Sequence, residues 1–209
     1  MSSKENQIKK QGVYIIAEVG VNHNGSLTLA KKLICAAKQC GADAVKFQTF
    51  SAKRLVTKFA PKAEYQKAET SSAKSHHDML RKLELDKKDF IELKNFCEEN
   101  NIDFLSSPFD EDAADFLYSI GLRIFKIPSG EITNTPFLKH IARKNCKILL
   151  STGMSKMNEI ADAMRAIVST KNRKVCLLHC VTDYPAPYEQ INLRAMISMQ
   201  KTFKVDVGY

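Results

Sequence analysis

Short apolar segments alternate with segments of helical periodicity along most of the chain, and this alternation restricts its fold more than any other feature. The apolar segments are rich in β-branched residues, which is typical of strands, whereas a segment such as residues 26–41 repeats apolar side chains at helical spacing. The predicted strands are apolar on both faces. We therefore expect a parallel sheet that is covered by helices.

The alternation predicts seven strands and six helices. The strands are expected at 13–20, 42–50, 102–109, 122–130, 146–154, 174–180 and 204–209. The helices are expected at 26–41, 87–101, 110–121, 135–145, 156–170 and 192–203. Residues 1–12 are polar and are predicted to be a disordered tail. Residues 51–75 are predicted to be a long polar connection, which carries His76 and His77 at its end in contact with solvent.

Two architectures fit this alternation, an open doubly wound sheet and a (β/α)₈ barrel. The first strand–helix turn lacks the G-x-G-x-x-G phosphate fingerprint, which weakens the dinucleotide-binding interpretation. Polar side chains follow nearly every predicted strand, and a barrel brings all such strand ends to one face. We therefore expect an α/β protein with a (β/α)₈ TIM barrel over residues 13–209, cut off within its seventh strand.

Composition narrows the class of protein. The net charge is +9, but the lysines are spread along the chain, which favours a local site for a small anion over nucleic-acid binding. Six cysteines without a C-x-x-C pair indicate reduced, buried thiols in a cytoplasmic protein, with Cys176 and Cys180 in a strand core. The polar N-terminus does not resemble a signal peptide, and no apolar segment is long enough for a membrane span.

The two lysines within apolar strands, Lys46 and Lys126, indicate an anion site because buried lysines are almost always paired. Hydroxyl groups lie near them in the sequence, at Ser107, Ser129, Ser151 and Thr152. Hydroxyls, backbone amides and two lysines suit a phosphate, or a phosphate together with a carboxylate. Two alternatives remain open: Lys46 as a Schiff-base nucleophile, or lysines that extend outward between the helices.

The remaining candidates are carboxylates and neutral polar side chains at strand ends. Glu18 and Glu131 are candidates for general acid–base chemistry or for holding sugar hydroxyls. Gln48 and Tyr184 offer neutral hydrogen bonds that suit a polyol. His23 has two interpretations at this point, a ligand to a metal or a support for the turn before the first helix.

Seven motifs in fixed order give the chain a specific resemblance. They are "IIAEVGVNHNG", "AVKFQTF", "APKAEYQ", "SSPFDEDAADFL", "KIPSGEITNTPFL", "LSTGM" and "LHCVTDYPAPYE". Together they resemble the N-acetylneuraminate (sialic acid) synthase family, with its legionaminic and pseudaminic acid synthase relatives, over about Val13 to Tyr209. The resemblance implies a barrel followed by an antifreeze-like C-terminal domain, in a homodimer.

The resemblance also implies an activity. Phosphoenolpyruvate condenses with an N-acetylated aminosugar aldehyde, either N-acetylmannosamine or a 2,4-diacetamido-trideoxyhexose, to give a nonulosonic acid and phosphate. A divalent cation, Mn²⁺ or Mg²⁺, would polarise the aldehyde oxygen. No covalent enzyme intermediate is expected, which argues against the Schiff base.

Site residues follow from the same resemblance. The positions that match phosphoenolpyruvate-binding residues are Lys46, Lys126, Ser129 and Ser151, with Ser107 in place of a frequent threonine and Thr182 in place of an asparagine of some members. The positions that match aminosugar contacts are Gln48, Glu131 and Tyr184. Glu18 matches an acidic residue that organises the attacking water. We expect Glu18, Lys46 and Gln48 to be catalytic and the others to bind substrate.

The chain departs from the family pattern at its end. In the family a metal-binding histidine follows the glycine that Gly208 matches, and a second lies on the eighth strand. The resemblance thus implies a piece without metal ligands or the C-terminal domain, with no turnover of its own, and His23 becomes a support for the turn. Three alternatives stay open: another phosphoenolpyruvate-condensing barrel, a Schiff-base aldolase, or a non-catalytic binder of phosphate compounds.

Overall fold

The computed structural model describes residues 12–57 and 75–209. Its strands are β1 (Ile16–Gly20), β2 (Ala44–Thr49), β3 (Asp103–Pro108), β4 (Ile124–Ile127), β5 (Lys147–Ser151), β6 (Val175–Leu178) and β7 (Asp206–Gly208). The strands follow one another in chain order within one sheet, and the pairs β1–β2 and β3–β4 through β6–β7 are parallel. The prediction of a parallel α/β protein is confirmed.

The helices within the described residues include two that the sequence did not predict. They are α1 (Leu27–Gln39), α2 (Ala52–Leu55), α3 (His76–Leu83), α4 (Lys87–Glu99), α5 (Glu111–Ser119), α6 (Thr135–Arg143), α7 (Met157–Val168) and α8 (Ala195–Phe203). Two short 3₁₀ turns cover Ser129–Glu131 and Tyr188–Gln190.

The long polar connection expected at residues 51–75 is partly helical. Its start forms α2, and α3 begins directly after Ser75, whose hydroxyl accepts the N–H of Asp78 as an N-cap. His76 and His77 therefore lie in the first turn of a helix, and their placement in a loop was wrong. Residues 58–74 and the predicted tail up to residue 11 lie outside the described residues.

The chain divides into two compact units, and the first extends to Leu105. Its helices α1 and α4 contact each other, and α1 also packs on β1 and β2. Phe47 and Phe104 stack with ring centroids 5.6 Å apart, while Ile34 and Leu93 are fully buried. Each such side chain stabilises the fold by about 1.5–3 kcal/mol through burial, which fixes the two strands that carry the first group of polar side chains.

The second unit comprises Ser106–Tyr209. Helices α6 and α7 contact each other, and strands β4 to β6 carry Phe125, Ile148 and Leu177, which have no exposed surface. Asn134 caps α6, and Pro136 stands in its first turn, where its missing N–H costs no hydrogen bond. These elements hold the ends of β4, β5 and β6 in place.

Cysteine exposure differs from the expectation of buried thiols. Cys97, Cys146 and Cys176 are buried, but Cys40 at the end of α1 is exposed, and Cys180 lies beyond the end of β6 and is half-buried. The placement of Cys180 in a strand core was therefore wrong. Within residues 12–57 and 75–209, no helix has the length and apolar character that a membrane span requires.

Candidate functional site

A buried lysine and an exposed carboxylate form an ion pair in the first unit. Glu18 on β1 and Lys46 on β2 are direct partners in the parallel register. The Glu18 Oε2 atom lies 2.6 Å from the Lys46 Nζ atom, and the two side chains are 54% and 7% exposed. The lysine charge is thus held away from bulk water, while the carboxylate that neutralises it is open to solvent.

Gly20 brings Gln48 into the same group. The β1–β2 register is irregular between Glu18 and Gly20, and Gly20 has a positive φ of 54°. A Cβ atom at Gly20 would lie 2.9 Å from Glu18 Oε1 and 3.5 Å from Gln48 Nε2. The carboxylate and the amide therefore face the space that a larger residue at position 20 would fill. We call Glu18, Lys46 and Gln48 the Glu18 cluster.

The structure thus places the three predicted catalytic residues together. Within this cluster the cation, the carboxylate and the neutral amide are the groups available to a ligand. An anion that takes the Glu18 position can pair with Lys46, because a charge-assisted hydrogen bond forms with any oxyanion at that distance. The released carboxylate could then hold a water molecule or a hydroxyl group.

His23 supports the turn that follows β1. Its side chain is 1% exposed, and its Nδ1 atom accepts the N–H of Gly25 at 3.1 Å. The ring centroid lies 6.1 Å from that of Phe47. Burial lowers the pKa of His23, which favours the neutral ring. The Nε2 atom has no hydrogen-bond partner among the described residues. The prediction that His23 supports the turn is confirmed.

In the second unit, three predicted residues share one face of the sheet. Lys126 is the register partner of Leu149, and Ser151 follows Leu149 by two positions on β5. Ser106 is the partner of Phe125, so that Ser107 lies on the Lys126 face. Side chains alternate along a strand, and this places Lys126, Ser107 and Ser151 on the same face. Ser107 and Ser151 are 2% and 4% exposed.

Ser129 lies at the centre of a second group, at the ends of β4, β5 and β6. The Gly153 N–H donates to Ser129 Oγ at 2.9 Å, and Cys180 Sγ lies 3.3 Å from the same oxygen. A Cβ atom at Gly153 would lie 2.6 Å from Thr182 Cγ2. We call Ser129, Gly153, Cys180 and Thr182 the Ser129 cluster. Its polar groups are neutral, which suits hydrogen bonding to an oxyanion.

The two remaining predicted residues lie nearer to solvent. Glu131 Oε2 accepts a hydrogen bond from Asn134 Nδ2 at 2.7 Å, next to the start of α6. The Tyr184 side chain is 86% exposed, and a cis peptide bond joins it to Pro185. Their role in sugar binding stays a prediction.

Cys180 is a member of this group that was not predicted from the sequence. Gly153 follows β5, and its steric role depends on Thr182 and Cys180, which follow another strand. The "HC" pair at the end of β6 was the available signal for Cys180. A strand predicted two residues too long assigned Cys180 to the core instead.

The family resemblance predicts a divalent metal. Within residues 12–57 and 75–209, no group of three or more His, Cys, Asp or Glu side chains is arranged to hold a metal ion. Lys46 occupies the space beside Glu18 that a cation would need. The described residues thus do not fit the metal, and no reaction step is assigned to it.

Comparison with known proteins gives consistent matches. Residues 33–209 match the NeuB family. The chain is 53% identical to the N,N'-diacetyllegionaminic acid synthase of Campylobacter jejuni subsp. jejuni serotype O:2, over 93% of this chain and 59% of that protein. It is 45% identical to the protein of the same name from Legionella pneumophila, over 99% of this chain and 60% of that protein. The chain thus spans about three fifths of the length of these relatives.

A solved structure also matches the fold. The N-acetylneuraminic acid synthetase of Leptospira borgpetersenii serovar Hardjo-bovis, in complex with citrate, superposes with a TM-score of 0.81 at 31% identity. The match covers 94% of this chain and 64% of that protein. Sequence and fold therefore point to the same group of proteins.

Proposed function

Because this chain belongs to the NeuB family, we propose that it provides part of the site in which phosphoenolpyruvate condenses with an N-acetylated aminosugar aldehyde. The products are a nonulosonic acid and phosphate. The relatives with the names legionaminic acid synthase and N-acetylneuraminic acid synthetase support this reaction class. The resemblance to the sialic acid synthase family drawn from the seven motifs is confirmed by these matches.

The observation that carries the proposal is the Glu18 cluster. A buried lysine paired with an exposed carboxylate, next to an amide, suits an anionic substrate and a polyol. We propose that phosphoenolpyruvate pairs with Lys46 and displaces the Glu18 carboxylate from it. Gln48 donates or accepts hydrogen bonds to the aminosugar, and the released Glu18 orients water. Citrate in the Leptospira structure is a further example of an anion bound by a related protein.

The second unit contributes a further lysine and several hydroxyl groups in this proposal. Lys126, Ser107, Ser129, Ser151 and Thr182 are proposed to bind phosphoenolpyruvate, through its phosphate above all. Glu131 and Tyr184 are proposed to contact the aminosugar. In the reaction, the terminal enol carbon of phosphoenolpyruvate (C3) forms a bond to the aldehyde carbon. Water then adds to the adjacent carbon, and the C–O bond to phosphate breaks as phosphate leaves.

Further features of the proposal come from the family resemblance. The seven strands would be the first seven of a (β/α)₈ barrel, and the protein would work as a cytoplasmic homodimer with Mn²⁺ or Mg²⁺. For residues 1–209 alone we propose binding of phosphoenolpyruvate without turnover, since the described residues form no metal-binding cluster.

The test has two arms. Isothermal titration calorimetry of residues 1–209 with phosphoenolpyruvate should give saturable binding that Lys46→Ala weakens at least tenfold. A chimera that joins residues 1–209 to the remaining part of the Campylobacter relative should release phosphate from phosphoenolpyruvate when an N-acetylated aminosugar is added. Mass spectrometry should then find the nonulosonic acid. A folded chimera that gives no product with either N-acetylmannosamine or a 2,4-diacetamido-trideoxyhexose contradicts the proposed reaction.

A further inference from the structure

We propose that Cys180 is a positioning residue that orients the hydroxyl group of Ser129 toward a bound oxyanion. Ser129 Oγ receives the Gly153 N–H at 2.9 Å and lies 3.3 Å from Cys180 Sγ. The inference rests on the proposed function, in which Ser129 binds the phosphate of phosphoenolpyruvate. It adds a residue to the ten site residues that were predicted from the sequence.

The orientation of the Ser129 hydroxyl follows from the number of hydrogen bonds that it can form. Its oxygen accepts two hydrogen bonds and its proton is donated once. The Gly153 N–H occupies one acceptor position of Ser129. If the Cys180 S–H occupies the second, the hydroxyl proton must point away from both groups. Gly153 and Cys180 provide the polar contacts of Ser129 Oγ among the described residues. With both acceptor positions occupied, the hydroxyl proton is available as a donor to a bound ligand.

The direction of the Cys180–Ser129 contact follows from the strengths of the groups. Sulfur is a weak acceptor and S–H is a weak donor. A hydroxyl donor that points at sulfur gives up a stronger hydrogen bond to an oxyanion or to water. The arrangement in which sulfur donates and the hydroxyl proton faces the ligand is therefore favoured once an anion binds, because charge-assisted hydrogen bonds are about twice as strong as neutral ones.

Packing holds this geometry in place. Gly153 leaves no space for a side chain, since a Cβ atom there would lie 3.0 Å from Ser129 Oγ and 3.1 Å from Cys180 Sγ. The same position lies 2.6 Å from Thr182 Cγ2. Because the three residues Ser129, Gly153 and Cys180 follow three neighbouring strands, the thiol is fixed relative to the hydroxyl by the sheet. Cys180 is half-buried, unlike the buried Cys176.

Two substitutions separate orientation from packing. Cys180→Ala removes the donor, and Cys180→Ser restores a donor while it loses the volume of the sulfur. For residues 1–209 we expect Cys180→Ala to weaken phosphoenolpyruvate binding about fivefold to tenfold, in line with the loss of one hydrogen bond. Cys180→Ser should bind within about twofold of the unsubstituted chain. Cys40→Ala, at an exposed cysteine, is the matched control and should leave the dissociation constant unchanged.

The outcomes distinguish the two proposals. If the unsubstituted chain binds no phosphoenolpyruvate, the proposed function fails and this inference fails with it. If it binds but Cys180→Ala has no effect, or Cys180→Ser weakens binding as much as Cys180→Ala, the positioning role alone is refuted. If a Cys180 variant does not fold, a second measurement on Ser129→Ala tests the same contact. Ser129→Ala should raise the iodoacetamide alkylation rate of Cys180 at least threefold, with Cys40 unchanged, and an unchanged rate at Cys180 overturns the inference.

Discussion

Replacement of Glu18 by glutamine should lower the stability of the chain and raise its affinity for anions. The substitution keeps the shape of the side chain and removes its charge. Lys46, with a side chain that is 7% exposed, loses the carboxylate at 2.6 Å. Stability falls because the buried Lys46 ammonium then pairs with a neutral amide, which is a weaker partner than a carboxylate. Anion affinity rises because a ligand no longer has to displace a carboxylate from Lys46.

The magnitude follows from the exposure of the two partners. Hydrogen bonds to charged groups contribute about 1.5–3 kcal/mol. The Glu18 side chain is 54% exposed, so solvent screening reduces the contribution, and glutamine retains a neutral hydrogen bond. We expect a loss of about 1–2 kcal/mol in the free energy of unfolding. Anion affinity should rise about fivefold, equivalent to about 1 kcal/mol.

A matched control exists in the same unit. Glu92 pairs with Lys31 at the same distance of 2.6 Å, and its side chain is 52% exposed, close to that of Glu18. Its partner differs, since the Lys31 side chain is 31% exposed. Glu92→Gln should therefore cost only about 0.2–1 kcal/mol, as exposed ion pairs do, and should leave anion affinity unchanged.

The assays are urea unfolding followed by circular dichroism and calorimetric titration with inorganic phosphate and phosphoenolpyruvate. Stability is compared at constant ionic strength, since salt screens the control pair more than the buried one. The reasoning is refuted if Glu18→Gln costs no more than Glu92→Gln. It is also refuted if anion affinity falls in Glu18→Gln, which would mean that the carboxylate does not compete for Lys46.

Three further substitutions test the first unit. Gly25→Ala should lower the free energy of unfolding by at least about 2 kcal/mol, because Gly25 has a φ of 72° and an added Cβ would lie 2.4 Å from the Lys82 carbonyl oxygen; an unchanged melting temperature contradicts this. Tyr14→Phe should cost about 1–2 kcal/mol in urea unfolding, because the Tyr14 hydroxyl donates to Asp103 at 2.6 Å in a partly buried position. Burial lowers the pKa of His23, so the unfolded chain takes up a proton first as the pH falls. The contribution of neutral His23 to the free energy of unfolding is therefore complete above about pH 6.5, and it is lost as the pH falls toward the folded-state pKa. The difference in unfolding free energy between pH 7.5 and 5.5 should be smaller in His23→Gln than in the unsubstituted chain. If the two differences are equal, His23 is not the source of the pH dependence.

Periodicity predicted the seven strands and six of the helices because these elements bury one or both faces. The strand at 42–50, for example, is observed at Ala44–Thr49 with most of its residues buried. The helices that the sequence missed bury less: α2 contributes Ala52 and α3 contributes Met79 as their buried residues. An apolar repeat cannot be read from one buried side chain. Their boundaries depend instead on N-cap geometry, such as the Ser75 hydroxyl that accepts the Asp78 N–H.

The candidate site was predictable where a charge stands in an apolar strand. Lys46 is conspicuous in "AVKFQTF" because little else explains a lysine there. The partnership of Lys46 with Glu18 depends on the β1–β2 register, which makes the two residues direct partners. Cys180 was missed for a related reason, since the end of β6 decides whether the thiol enters the core or reaches Ser129. Register and strand ends result from tertiary packing, which local sequence does not specify.

The Glu18 pair also determines which anions this protein should prefer. A ligand gains at Lys46 only the difference between its own interaction and that of the Glu18 carboxylate at 2.6 Å. A monocarboxylate exchanges one like group for another and gains little. A phosphate ester carries about two charges at neutral pH and three acceptor oxygens, so it gains both charge and hydrogen bonds in the exchange. The ion pair therefore imposes one fixed displacement cost on every anion, which phosphate exceeds and acetate does not. Glu18→Gln should raise both affinities by a similar factor, so that acetate binding becomes measurable while phosphate remains the tighter ligand.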